Sequence, residues 1–481
     1  MKNLNKKFLY HWFYTLAVYI LVFSLLGCSS STINNTQTPT IEESDPAEPT
    51  FTPTDEEALP TPTENQPMID VEPDALDGLS IQFVHPWQGE VGAVLQDIAM
   101  KFSLSNPWGI WVEVEGMGSE NMLFSRIESD IERGEIPKLI AAHGYTLFML
   151  EEGYEPITLD DYFNHPEWGI DPASKEDIPQ VYLDQYIQDG QLIALPVAPS
   201  ANVLYYNQTW GEALGFDAPP ADEDDFADQA CGATAANMND RVEENDFTGG
   251  WLMNFDPQVL LSWYMAFGGM IPENGNPQFN NDAGQTAFRY LETLYAPENN
   301  CIWIGRQAEP YWYFANRYAL MYAGSLNQMA LQKGWMTQAK NDDQWTVTGF
   351  PGPEGKVMLV DSPGLFITKS TPEEQLGAWL FAKHLLTPDV QARLVQSLFT
   401  LPVRSSAIND LGDFVSDYPQ WGKAVDLVEY AQPLPISVGW GYGRWMLQDA
   451  IRRSFAIEGE DVSTILEELD AMILEFDGTT P

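Results

Sequence analysis

The chain has 481 residues, a net charge of −47 from 70 acidic against 23 basic side chains, and 44% hydrophobic residues that include 16 Trp. A surface so acidic repels a polyanion, which argues against nucleic acid as a partner, while the length suggests two or three domains and the apolar fraction allows them large cores. The 3 Cys and 5 His show no zinc spacing and no C-x-x-C, so neither a metal nor a cofactor is expected.

Lys2, Lys6 and Lys7 precede the apolar run Phe8–Leu26, a basic segment followed by a hydrophobic one. The run is long enough to span a bilayer, so an uncleaved anchor is one reading. The other rests on Leu25-Leu26-Gly27-Cys28, which resembles the lipobox of bacterial lipoprotein signals. That resemblance implies a signal peptide over 1–27 and a mature chain that starts at a lipidated Cys28, held at the membrane by more than one acyl chain. Both readings place the rest of the chain outside the cytoplasm. From 28 to 78 the sequence is rich in Thr, Pro and Glu, and no Lys or Arg occurs between Cys28 and Lys101. With few large apolar residues to offset ordering entropy, it reads as a disordered tether.

At Leu79 the character changes. "LSIQFV" reads as a strand that ends in a loop carrying His85, Pro86 and Trp87. Val91, Val94, Leu95, Ile98 and Phe102 then recur at helical spacing. "WGIWVEVEG" alternates as a second strand, "NMLFSRIESDIERGE" is an amphipathic helix, "PKLIAAH" a short apolar strand and "YTLFMLEEGY" a further helix. This alternation predicts a parallel sheet with crossover helices, whose ligands sit beyond the carboxyl ends of the strands. His85–Trp87, Gly116–Glu120 and His143–Tyr145 therefore fall on one rim. Further on, Cys231 and Cys301 remain once Cys28 is set aside. In an exported protein they suit one disulfide, with two buried free thiols as the alternative. No H-E-x-x-H, G-x-S-x-G or P-loop signature occurs, acidic pairs such as Asp160-Asp161 are expected by chance, and no catalytic residue is assigned. "GWGYGRW" at 439–445 reads as a flexible loop that presents Trp440, Tyr442 and Arg444.

Several segments, in order, resemble the extracellular solute-binding proteins of ABC importers, in the class that takes up oligosaccharides. They are "LSIQFVHPWQGE", "DGQLIALPVAPSANVLYYNQTWGEALGFDAPP", "YFANRYALMYAGS" and "SPGLFITKSTPEEQLGAWLFAKHLLTPDVQARLVQSLFTLPVRSSAI". The likeness covers Leu79 to about Phe476. Departures occur at Pro137-Lys138-Leu139, at Ala221–Asp224 and at Arg317. The resemblance implies an α/β, two-lobed periplasmic-binding-protein-like fold of type II, each lobe a mainly parallel sheet flanked by helices. Lobe one would take 79–197 plus 359–406, and lobe two 202–355 plus 407–476. The hinge would lie near Val197–Asn202, Gly355–Leu359 and Arg404–Ala407.

It also implies a function: capture of a sugar or oligosaccharide between the lobes and delivery to ABC permease transmembrane subunits, by a monomer. Sugar recognition needs aromatic faces and planar polar groups, which selects Trp87, His143, Tyr145, Tyr206, Trp251, Asp256, Trp263, Trp312, Ser325, Asp361, Trp440 and Arg444. Of Tyr205 and Tyr206, one is expected in the cleft and the other in the core. Many of these aromatics also suit a core, and Arg444 a salt bridge. A receptor for a polyamine, peptide or polyol, a secreted carbohydrate-active enzyme and an adhesion lipoprotein are the competing functions.

Overall fold

The structure, a computed structural model, describes residues 69–150, 154–272, 275–306, 309–456 and 460–476. The signal run, Cys28 and the tether as far as residue 68 lie outside the described residues.

The first lobe opens with β1 (Ser80–His85), α1 (Gly89–Ser105), β2 (Trp111–Gly116), α2 (Glu120–Arg133), β3 (Leu139–Ala142) and the short α3 (Gly144–Phe148). Each helix follows its sequence. In α1, Leu95, Ile98, Ala99 and Phe102 form the buried stripe. In α2, Ser119 caps the amino end by accepting from the Met122 N–H, and Gly134 ends the helix in the left-handed conformation at φ 71°. Short helices and a small hairpin lead to β4 (Leu195–Pro196).

The second lobe holds β5 (Ser200–Asn207), α4 (Glu223–Asn239), β6 (Gly249–Met253), α5 (Pro257–Ala266), α6 (Asp282–Tyr295), β7 (Ile302–Ile304), α7 (Tyr311–Ala315), β8 (Ala319–Ser325), β9 (Trp345–Thr348), β10 (Phe350–Gly352) and β11 (Gly355–Asp361). The chain returns to the first lobe for β12 (Gly364–Ile367), α8 (Pro372–Leu385) and α9 (Pro388–Leu398). It then completes the second with β13 (Ala431–Pro433), α10 (Val438–Ser454) and α11 (Val462–Phe476).

The first sheet runs β2-β1-β3-β12-β4 and the second β10-β11-β5-β8-β6-β7, with β9 added on β5 and β13 on β11. Both are mixed rather than mainly parallel. β1 is parallel to β2 and β3, but β12 is antiparallel to β3 and β4. β6 is parallel to β7 and β8, but β5 is antiparallel to β8, β9 and β11. The cause is the crossings. β5 carries the chain into the second lobe and β11 carries it back, so the two must run oppositely, and they do, with Asp361 opposite Ser200. β11 stays in the second sheet through Asp361 and β12 starts at Gly364. This crossing therefore sits at Ser362–Pro363, later than the expected Gly355–Leu359. Tyr186 donates its hydroxyl to the Ser362 carbonyl there.

The fold also starts earlier than the expected boundary at residue 79. Val71 and Leu76 are buried in the first lobe's core, so 69–78 belongs to the folded region and not to the tether.

The second sheet is covered on both faces, and side chains alternate between the two layers. Val203 and Tyr205 join Tyr322 and Trp345 in one core, while Leu204 and Tyr206 join Trp251 and Trp263 in the other. Cys231 of α4 and Cys301 before β7 form a disulfide, with Cα atoms 4.3 Å apart and a sequence separation of 70. It fastens α4 to the sheet beside Gly250, where a Cβ would lie 2.0 Å from the Cys301 carbonyl oxygen. A loop of that length stabilises by about 4 kcal/mol on the chain-entropy model. Thiol titration of the unfolded, unreduced folded region is expected to find no free thiol, and two would contradict the bridge.

Candidate functional site

β6 and β8 are parallel neighbours and end together at Met253 and Ser325. Beyond their carboxyl ends lies a cavity of about 520 Å³. Asn254 and Asp256 follow β6, Gln258 stands in the first turn of α5, Ser325 closes β8, and Gln328 follows it. Glu309 and Tyr311 come from the α7 side and Asn202 from β5. Trp440, Arg444 and Trp445 project from α10.

The polar wall is tied together from one end to the other. Asp256 caps α5, its Oδ1 accepting from the Gln258 N–H at 2.9 Å and the Val259 N–H at 3.4 Å. Asn202 donates to Gln258 Oε1 at 2.9 Å, and Gln258 donates to Asp361 Oδ2 at 2.9 Å. Gln185 also donates to Asp361, at 3.3 Å. His143 then brings Asp361 to the first lobe, with Nε2 3.1 Å from Asp361 and Nδ1 2.8 Å from Glu120. A carboxylate only accepts, so Asp361 fixes the amide orientation of Gln258, which in turn fixes that of Asn202.

Two electrostatic effects stand out. Burial disfavours the charged form of His143, but the facing Asp361, with Tyr145 and Glu120, overcomes it and raises its pKa well above 6.5, so the ring is an imidazolium at neutral pH. Burial raises the Asp256 pKa despite the two backbone N–H bonds, with Asp361 adding to the rise and Arg444 opposing it. His85 at the end of β1 is the opposite case. Burial lowers its pKa to about 4, and its Nδ1 accepts from the Trp87 N–H at 3.2 Å as a neutral ring does.

The aromatic wall holds two unpartnered donors. Trp440 is buried, and its Nε1 has no hydrogen-bond partner among the described residues. The Nε of Arg444 is buried and likewise has no hydrogen-bond partner among the described residues. The Arg444 guanidinium lies 4.2 Å over the Tyr145 ring, which itself stacks on His143 at 5.3 Å. No ion pair is made by Arg444 among the described residues, so its expected alternative, a salt bridge, is not found.

Of the residues chosen from sequence, Asp256, Ser325, Trp440 and Arg444 line the cavity. Asp361, His143 and Tyr145 stand behind it in the contact between lobes. Tyr206, Trp251 and Trp263 do not face a cleft. All three are buried in one core of the second lobe, Trp251 and Trp263 with ring centroids 5.5 Å apart. Both tyrosines at 205 and 206 are core residues, because helices cover both faces of their strand. Trp312 is half-buried against Tyr318, and its neighbour Tyr311 lines the cavity instead. Trp87 is half-buried on the first lobe's core, away from the cavity. The "GWGYGRW" segment is no loop but the first half of α10, capped by Ser437. Asn202, Asn254, Gln258, Glu309, Gln328 and Trp445 were not found from sequence. Amides beside a strand end have no periodic signature, although Gln258 lies two residues past a legible Asp-Pro helix start.

The family model for bacterial extracellular solute-binding proteins matches residues 98–423. The sn-glycerol-3-phosphate-binding periplasmic protein UgpB of Escherichia coli is 25% identical over 264 residues, which cover 52% of this chain and 57% of that protein. The chain thus spans little more than half the length of the curated relatives it matches. Among solved structures, the sugar-binding protein MalE from Xanthomonas citri superposes with a TM-score of 0.67 at 18% identity, covering 82% of this chain and 97% of that one. UgpB from Mycobacterium tuberculosis, in complex with glycerophosphocholine, gives 0.65 at 18% identity, covering 82% and 98%. The cyclic alpha-maltosyl-1,6-maltose binding protein of Arthrobacter globiformis gives 0.67 at 13%, covering 82% and 99%. At these identities the structural likeness speaks for the fold, and the family match for descent. This chain belongs to the bacterial extracellular solute-binding protein family.

Proposed function

We propose that this chain is the solute-binding receptor of an ABC importer, which captures a sugar or oligosaccharide beside the contact between its lobes and delivers it to membrane permease subunits without transforming it. The observation that carries this reading is the cavity at the ends of β6 and β8. It combines aromatic faces with a tied wall of amides and carboxylates and two buried donors, Trp440 Nε1 and Arg444 Nε, that no group among the described residues satisfies. A buried donor without a partner costs roughly 1–3 kcal/mol. A hydroxyl-bearing ligand removes that cost.

The lobes hinge at 197–199, at Ser362–Pro363 and near 404–407. Closing them around a ligand is driven only by the ligand's greater affinity for the closed form. The receptor acts as a monomer, tethered outside the cytoplasm through a lipid on Cys28. The test is incubation of the purified protein with a saccharide panel, followed by thermal shift and product analysis. A shift without product is expected. Product formation that is lost on replacing a cavity carboxylate would make the protein an enzyme, and no shift with any solute would contradict the receptor.

A further inference from the structure

A second cavity, of about 350 Å³, adjoins the first and shares Asn254, Asp256 and Pro310 with it. One row of α10 walls both. Trp440 and Arg444 face the first cavity, and Gln448 and Arg452 the second. These residues are four apart and so lie on one helical face, with Arg444 and Arg452 roughly 12 Å apart along the axis.

Both arginines are held differently from most others in this acidic chain. Arg126, Arg289, Arg317 and Arg404 each sit on a carboxylate. Arg444 and Arg452 rest instead on aromatic rings, at 4.2 Å over Tyr145 and 5.2 Å over Phe255, with no ion pair among the described residues. Stacking occupies the face of a guanidinium and leaves its N–H edge free for a planar or tetrahedral anion. Two carboxylates share the groove. Asp256 spends its Oδ1 on the cap of α5, and Glu309 is exposed at the rim. Neither carboxylate forms an ion pair with Arg444 or Arg452 among the described residues. Gln448 is fixed between them by donating to the Phe255 carbonyl at 2.7 Å.

We infer that the ligand is an elongated acidic oligosaccharide, lying along α10 through both cavities with one anionic group at Arg444 and another at Arg452. The inference rests on the sugar-receptor reading and adds length and charge to it. Arg452, exposed and two turns beyond the main cavity, sets the preference for acid over neutral chains.

The test is titration calorimetry with four probes: trigalacturonate, its fully methyl-esterified form, monomeric galacturonate and maltotriose. Trigalacturonate is expected to bind about tenfold or more tightly than its ester, as a charge-assisted contact predicts, and more tightly than the monomer. Arg452→Gln is expected to cut the preference of acid over ester about tenfold, to what the Arg444 contact alone supplies, while the melting midpoint holds. Equal binding of acid and ester by the wild type, a monomer as tight as the trimer, or an unchanged preference in Arg452→Gln overturns the proposal. Binding of maltotriose with none of the galacturonates overturns it and leaves the receptor reading standing. Heat from none of the four, and no shift across the saccharide panel, overturns both.

Discussion

Replacing His143 by glutamine is expected to destabilise the protein by about 3 kcal/mol near neutral pH, with a loss that shrinks as the pH rises. The imidazolium stands between Glu120 and Asp361, and removing it leaves two carboxylates facing each other in a partly dry contact. Breaking one partner out of a buried ionic group costs roughly 3–5 kcal/mol, and the lower end applies here because all three side chains keep some solvent contact. The direction with pH follows from the raised pKa of His143. Its folded value exceeds its unfolded value, so the stabilisation is fully present below about 6.5 and is lost as the pH climbs through the higher folded value. The wild type should therefore lose stability on the alkaline side while His143→Gln stays flatter, and the two melting curves should converge. Parallel curves from about pH 6 to about pH 10 would show that the ring is neutral in the fold.

The second large effect concerns the unpartnered donors. Trp440→Phe keeps the ring and removes the buried N–H, so the ligand-free protein is expected to be unchanged or slightly more stable, while affinity for the captured solute falls about tenfold. Arg444→Gln removes a charged donor, and the loss should reach about ten- to a hundredfold. Opposite signs on stability and affinity are the mark of a group held for a ligand. A fall in melting midpoint with no change in affinity, in both variants, would move the solute elsewhere.

Much of this was readable from residue order. The 3.6 spacing of α1 and α2 and the strand-helix alternation point to the first lobe, and polar residues just past strands point to Asp256 and Ser325. What escaped has physical causes. "GGWLM" is buried at every position, so no alternation shows which core receives Trp251. The three glycines of "GWGYGRW" weaken helix propensity and suggest a loop, yet they serve close packing. A Cβ on Gly441 would lie 2.7 Å from Met149 Sδ, and one on Gly443 would lie 2.8 Å from Ile473. α10 needs these gaps to approach α3 on one side and α11 on the other. The mixed sheets follow from opposed crossings that local pattern does not encode. The link from Glu120 through His143 and Asp361 to Gln258 joins residues far apart in sequence, and no spacing rule finds it.

Titration calorimetry of the intact protein against mono- and oligosaccharides tests the central claim most directly. The account predicts a saturating isotherm at one solute per chain, with a negative heat-capacity change as the exposed Trp445 is covered, and a weaker isotherm for Trp440→Phe and Arg444→Gln. Absence of heat with every solute, or an isotherm that both variants leave untouched, would contradict it.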